Sequence, residues 1–180
     1  MSEEIYKKLR EHLNSMPAGY PETKSGAEIK ILKKFYTPEQ ASIALALKRM
    51  PEKVSVIAER LNMNVAEAET KIEQMAMEGS VFRIVTPDGN LYMQPNYVMG
   101  LYEWHVHSID KEAAGYADDI YDALFENHWK GRETKQLRVV PVQKSVDVKN
   151  IVRNYDDIRE LVKGKTEGPY AVAPCICRVE

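Results

Sequence analysis

The sequence predicts an α+β chain, mainly α, and three observations carry that expectation. Apolar residues recur at helical spacing from Ile5 to Met75, two of these helical patterns are joined by a short turn, and two short β-branched and aromatic runs follow at once. Helices, a helix-turn-helix and a β-hairpin, in that order, are the layout of a winged helix-turn-helix domain. A smaller helix/strand region comes after it. The chain is thereby divided into 1–94, a linker-like 95–168 and a short cysteine-bearing end at 169–180.

In chain order, Ser2 with Glu3 and Glu4 signals a helix start, and Ile5, Leu9, Leu13 and Met16 give it one apolar face. Pro17 ends it. After the aperiodic Pro17–Pro21, Ser25-Gly26-Ala27-Glu28 reads as a capping box opening a helix with Ile29, Leu32 and Phe35. Thr37-Pro38-Glu39-Gln40 opens the next, with a cap, a proline at the first helical position and a glutamine three residues on. Pro51 closes it. Val54, Ile57, Ala58 and Leu61 mark a short helix, Asn62-Met63 a tight turn, and Asn64-Val65-Ala66-Glu67 a further capping box before Ala68, Ile72, Met75 and Ala76. Gly79 is placed to stop that helix. Val81–Val85 and Leu91–Met93 flank Thr86-Pro87-Asp88-Gly89-Asn90, a hairpin with a turn-forming tip. Beyond Pro95 the sequence predicts a helix over 97–109 that packs back on the winged domain, an amphipathic helix over 113–127, a strand over 137–142 and a helix over 152–162. A short extended piece, Tyr170–Val172, leads into the cysteines.

With 44% hydrophobic and 29% charged residues among 180, the chain can build one real core or two small ones. No apolar run approaches the roughly 20 residues that a membrane helix needs, and Met1-Ser2-Glu3-Glu4 has neither basic leader nor apolar stretch. The expectation is a cytoplasmic protein without membrane contact, in a compartment where thiols stay reduced. A net charge of −2 gives no general pull toward nucleic acid. Residues 130–165 are locally basic, suited either to a solvated mixed surface or to an acidic partner.

A winged helix suggests DNA binding, because its second helix can enter the major groove. Here that helix exposes Glu67, Glu69, Glu73 and Glu78 against a single Lys71, and the hairpin tip adds Asp88 and no cation. Phosphates demand Lys and Arg, so this face should repel DNA and serve as a packing or protein-docking module. No Walker loop, dinucleotide fingerprint, nucleophile elbow or His-Glu-x-x-His motif is present. Asp118-Asp119 and Asp156-Asp157 are adjacent and point apart on a helix, as solvated charges rather than a catalytic dyad. His105-Val106-His107 could contribute zinc ligands if extended, although core or surface histidines beside Trp104 are the commoner outcome. Tyr97, Met99, Tyr102 and Trp104 suggest an interface, with the C-terminal segment or with a second copy.

The only two cysteines, Cys175 and Cys177, stand one residue apart. Soft thiolates suit zinc and iron-sulfur clusters, and each of these takes about four ligands. Cys-x-Cys is therefore half a ligand set, or else two inert buried side chains; a disulfide within it is disfavoured by ring geometry.

The blocks Pro17-Ala18-Gly19-Tyr20-Pro21-Glu22-Thr23-Lys24-Ser25-Gly26-Ala27-Glu28-Ile29, Thr37-Pro38-Glu39-Gln40-Ala41, Arg138-Val139-Val140-Pro141-Val142 and Cys175-Ile176-Cys177-Arg178 resemble ferredoxin-like [4Fe-4S] iron-sulfur binding proteins with an N-terminal winged-helix region. The resemblance runs over nearly the whole chain. It implies that Cys175 and Cys177 bind a cluster with Arg178 beside it, in an electron-transfer or redox-sensing protein or an electron-transfer subunit of an oxidoreductase. A protein redox partner or a homodimer would then be the partner. The further cysteines that the resemblance implies are not in this sequence, so it also implies a chain cut within its cysteine-rich module. A zinc site, and a winged-helix transcriptional regulator responding to metal or redox state, are the alternatives.

Overall fold

The computed structural model describes residues 2–133, and Lys163 alone beyond them. The strand expected over 137–142, the helix over 152–162, Tyr170–Val172, Asp156-Asp157 and the Cys175, Cys177 and Arg178 set lie outside the described residues. The protein is α+β and mainly helical. Its elements are α1 (Ser2–Asn14), α2 (Ala27–Phe35), α3 (Pro38–Ala46), β1 (Glu52–Lys53), α4 (Val54–Leu61), α5 (Val65–Met77), β2 (Phe82–Thr86), β3 (Gly89–Met93), a π-helical turn at Tyr97–Leu101, α6 (Tyr102–Trp104), α7 (Lys111–Leu124) and a second π-helical turn at Phe125–Trp129. Among the described residues no helix is long and apolar enough to cross a membrane.

The caps show how local sequence sets these boundaries. At α3 the Thr37 hydroxyl accepts from the Gln40 amide (3.2 Å) and the Gln40 side chain accepts from the Thr37 amide (2.8 Å), the capping box that the sequence predicts. At α2 the expected box is displaced. Gly26 occupies the cap at φ 67, and Thr23, three residues upstream, accepts from the Ala27 amide (2.9 Å) while donating its own amide to the Glu28 carboxylate (3.1 Å). Ser25 turns instead to Asp119 on α7 (2.5 Å). At α5 only half the box forms: Asn64 Oδ1 accepts from the Ala66 amide (2.9 Å), and Glu67 pairs with Lys71.

The end of α5 is a Schellman turn. The Ser80 amide donates to the Met75 carbonyl (2.8 Å), the Gly79 amide donates to Ala76 (3.3 Å), and Gly79 sits at φ 91. After it comes the hairpin, with Thr86 opposite Gly89. The two residues of β1 pair with β3 (Glu52↔Tyr92, Lys53↔Leu91), giving an antiparallel sheet in the order β1-β3-β2.

One core joins the described residues on both sides of residue 94. Leu9 and Leu13 of α1, Ile31 and Leu32 of α2, Ile57 and Ile72 of the helix-turn-helix, and Ile120 and Leu124 of α7 are all buried in it. Each such side chain contributes ~1.5–3 kcal/mol through the apolar surface it removes from water. Tyr20, Tyr97, Tyr102 and Tyr121 form an aromatic cluster with centroid separations of 4.7 to 6.3 Å, which anchors the Tyr97–Trp104 segment. That segment does pack back as expected, but as a π-helical turn and a short α6 rather than one long helix.

Candidate functional site

The charged face of the helix-turn-helix is built from α5 and the hairpin. Lys71 is held between Glu39 of α3 (2.5 Å) and Glu67 (2.9 Å), so its positive charge is already neutralised, and those two carboxylates, Glu39 foremost, raise its affinity for its proton. Glu73, two residues on, is half-buried and accepts from Arg83 of β2 (2.6 Å), from Asn90 of β3 (2.8 Å) and from the Tyr92 hydroxyl. Three donors on one carboxylate outweigh the burial that opposes ionisation. The Tyr92 bond foremost, with Arg83 and Asn90, holds the Glu73 carboxyl below the usual range, and burial with the Glu73 bond pushes the Tyr92 phenol up to about 12.

Arg83, the cation nearest the tip, is therefore spent on the protein's own carboxylate. Arg60 is likewise paired with Glu52 (2.8 Å) and donates to the Ala46 carbonyl. On this face Lys71 and Arg83 are bound internally while Glu67, Glu69 and Glu78 stay exposed. Sequence reading treated Glu73 as one more exposed acid. Its signal was there in Arg83, Asn90 and Tyr92, whose strand register places all three opposite one turn of α5.

His105 and His107 do not share a face. The segment is turned rather than extended: His107 is exposed, and His105 is 7% exposed with its ring stacked on Phe35 (3.9 Å between centroids, 16° between planes). Its Nδ1–H donates to the Leu101 carbonyl (2.7 Å), and Nε2 faces the Ser80 hydroxyl at 3.4 Å. Ser80 donates to the Phe35 carbonyl (3.0 Å), Tyr36 donates to the Ser80 carbonyl (3.0 Å), and Gln94 donates to the Tyr36 hydroxyl (3.2 Å). Burial lowers the His105 imidazole below its ordinary value, so it acts as a neutral structural linker. Among the described residues no group of three or more metal-ligating side chains converges.

Asp118 and Asp119 are exposed, as solvated charges should be. Asp119 borders a cleft of about 490 Å³ together with Glu22, Thr23, Ser25, Asp122 and Glu126. All its carboxylates reach solvent. Compared with known proteins, the chain matches no family model, no curated protein and no solved structure.

Proposed function

We propose that this chain is the winged-helix and linker part of a [4Fe-4S] iron-sulfur protein that transfers electrons or senses redox state, with the winged helix serving as a protein-docking module. The cluster half of the reading rests on one observation, the sequence Cys175-Ile176-Cys177-Arg178. Two thiolates fit half of a cubane's ligand set, so two more ligands would have to come from outside residues 1–180. When bound, the cluster would supply one-electron chemistry. Arg178 would then offer a cation and hydrogen-bond donors beside the sulfurs, which tunes a cluster's potential.

The docking half is supported by β1 ahead of α4 and the hairpin β2–β3 after α5, joined in the order β1-β3-β2, which suits a winged helix, and by the internally paired Lys71 and Arg83. A regulator that reads DNA would need those cations free.

Anaerobic reconstitution of the natural full-length protein with iron and sulfide tests the first half: broad visible absorbance and bound iron are expected, and both should be lost in Cys175→Ser with Cys177→Ser. Unchanged iron content in that double variant sinks the cluster assignment. For the second half, no gel shift with duplex DNA is expected at physiological salt. A tight complex that weakens steeply with salt would restore the regulator reading.

A further inference from the structure

The sheet β1-β3-β2 has two outer edges of unlike character. β1 is two residues long and both are charged, Glu52 and Lys53, so that edge is short and polar. β2 runs over Phe82–Thr86 without a proline, and it pairs with β3 one to one along its whole length, without a bulge. Its single charge does not guard the edge either, because the Arg83 guanidinium is drawn back to Glu73 of α5 (2.6 Å). Edge strands are ordinarily protected from pairing by shortness, proline, a bulge or a free charge. In β2 each of these is missing or turned away.

Register shows which backbone groups that edge leaves open. Pro87 and Asp88 alone form the loop, so Thr86 and Gly89 close the hairpin as a hydrogen-bonded pair. Hydrogen-bonded pairs alternate along an antiparallel ladder. Phe82, Ile84 and Thr86 therefore turn their amides and carbonyls to β3, while Arg83 and Val85 turn theirs outward. The other side of the hairpin obeys the same alternation: Tyr92 meets Glu52 of β1, and the Gln94 amide donates to the Lys48 carbonyl (2.8 Å). Arg83 and Val85 have no such second backbone partner among the described residues. Both are exposed, Val85 at 75%.

Amides and carbonyls in that alternation are matched by an extended strand, and β2 is its own match. When a second β2 runs antiparallel to the first about Ile84, Arg83 of each copy stands opposite Val85 of the other, and every outward amide and carbonyl of both residues finds a partner. A shift of one residue would set those groups against groups already bonded to β3. In the symmetric register Ile84 meets Ile84 and Phe82 meets Thr86, so no like charges are directly opposed. We infer that the chain dimerises through β2, edge to edge and antiparallel, about a two-fold axis at Ile84 that joins the two sheets into one. The inference takes up the docking reading and names its partner as a second copy. DNA binding would sink that reading, whereas the test below reads strand pairing alone and needs neither cysteine nor metal.

Sedimentation equilibrium of the full chain should show a concentration-dependent dimer, and hydrogen exchange should show the Arg83 and Val85 amides gaining protection as it forms, with the Ile84 amide protected at every concentration. Val85→Pro removes an outward amide without touching the bonds to β3, and should weaken the dimer at least about tenfold while the fold is kept. Ile84 lies outside the core. Ile84→Lys and Ile84→Glu each oppose like charges across the axis and should weaken their homodimers about tenfold, and an equimolar mixture of the two should regain dimer, because only a residue on the axis meets its own counterpart. A strictly monomeric wild-type chain overturns the inference, and so does protection of Arg83 and Val85 that ignores concentration, which would assign the edge to another strand of the same chain. A dimer indifferent to Val85→Pro, or a mixture that stays monomeric, overturns it as well.

Discussion

The helix-turn-helix carries two attachments, and they are made of opposite materials. The hairpin is tied to α5 by Glu73, an ionised and partly solvated carboxylate that gathers Arg83, Asn90 and Tyr92. The Tyr97–Trp104 segment is tied to the end of α5 by neutral groups out of reach of water: Ser80, His105, Tyr36 and Gln94, roofed by Phe35. A solvated charge clamp gives direction at small cost when it is cut. A buried neutral network tolerates almost no change, because every unpaired polar atom there loses its water without compensation.

The buried attachment should break hardest at Gly79. A Cβ there would sit 3.0 Å from Trp104 Cβ and 3.1 Å from its carbonyl oxygen, at a φ of 91 that L side chains rarely adopt. Gly79→Ala should therefore cost roughly 2–4 kcal/mol in chemical denaturation, from backbone strain plus overpacking. A loss under ~1 kcal/mol would mean that α6 yields easily and that the contrast is overstated.

At the solvated attachment, Glu73→Ala should cost about 1–3 kcal/mol, since it strands the hydroxyl of the buried Tyr92, together with an amide and a guanidinium that can still reach water. Glu73→Gln should lose less. Hydrogen exchange sharpens the point: β2 and β3 amides should lose protection in Glu73→Ala while those of α1 and α2 keep theirs.

The smallest effect is on pH dependence, and it separates the two in one titration. His105 is held below its ordinary value near 6.5, so as pH falls past that value the unfolded chain takes up a proton that the folded one refuses, and stability declines. Glu73 is held below its ordinary value near 4.5, so its contribution is complete above that pH and is lost on further acidification. Stability measured against pH should fall in two steps. His105→Gln should erase the upper step alone, and Glu73→Gln should shrink the lower one, to which Glu52 also contributes through Arg60.

What could be read from the sequence was what local chemistry decides. Thr37-Pro38 with Gln40, the Asn64 cap, Gly79 at the end of α5 and the Thr86–Gly89 hairpin all carry their own signals, and each stands where its residues place it. What could not be read depends on distant partners. β1 is two polar residues long and exists because β3 offers it an edge, so no periodicity announces it. The α2 cap moved to Thr23 because Glu28 turns back to it while Ser25 is drawn to Asp119, 94 residues away. Glu73 and His105 looked like a surface acid and a spare imidazole. Only the register of the hairpin and the return of the chain after Pro95 give them their partners.

The connector between α1 and α2 has a consequence for how the chain is made. Its Pro17 carbonyl accepts from Arg132 (3.1 Å) and approaches His128 Nε2 at 3.3 Å, its Ala18 carbonyl accepts from the Trp129 indole (3.2 Å), and the His128 ring lies where a side chain on Gly19 would be. These partners are separated by 111 to 115 residues. At a synthesis rate of ~5–20 residues per second, that gap corresponds to roughly 6–20 seconds on the ribosome. Throughout that interval α1 through α5 can assemble while those carbonyls face water, so among the described residues this seam closes late although it lies next to α1, the earliest-translated of the described helices.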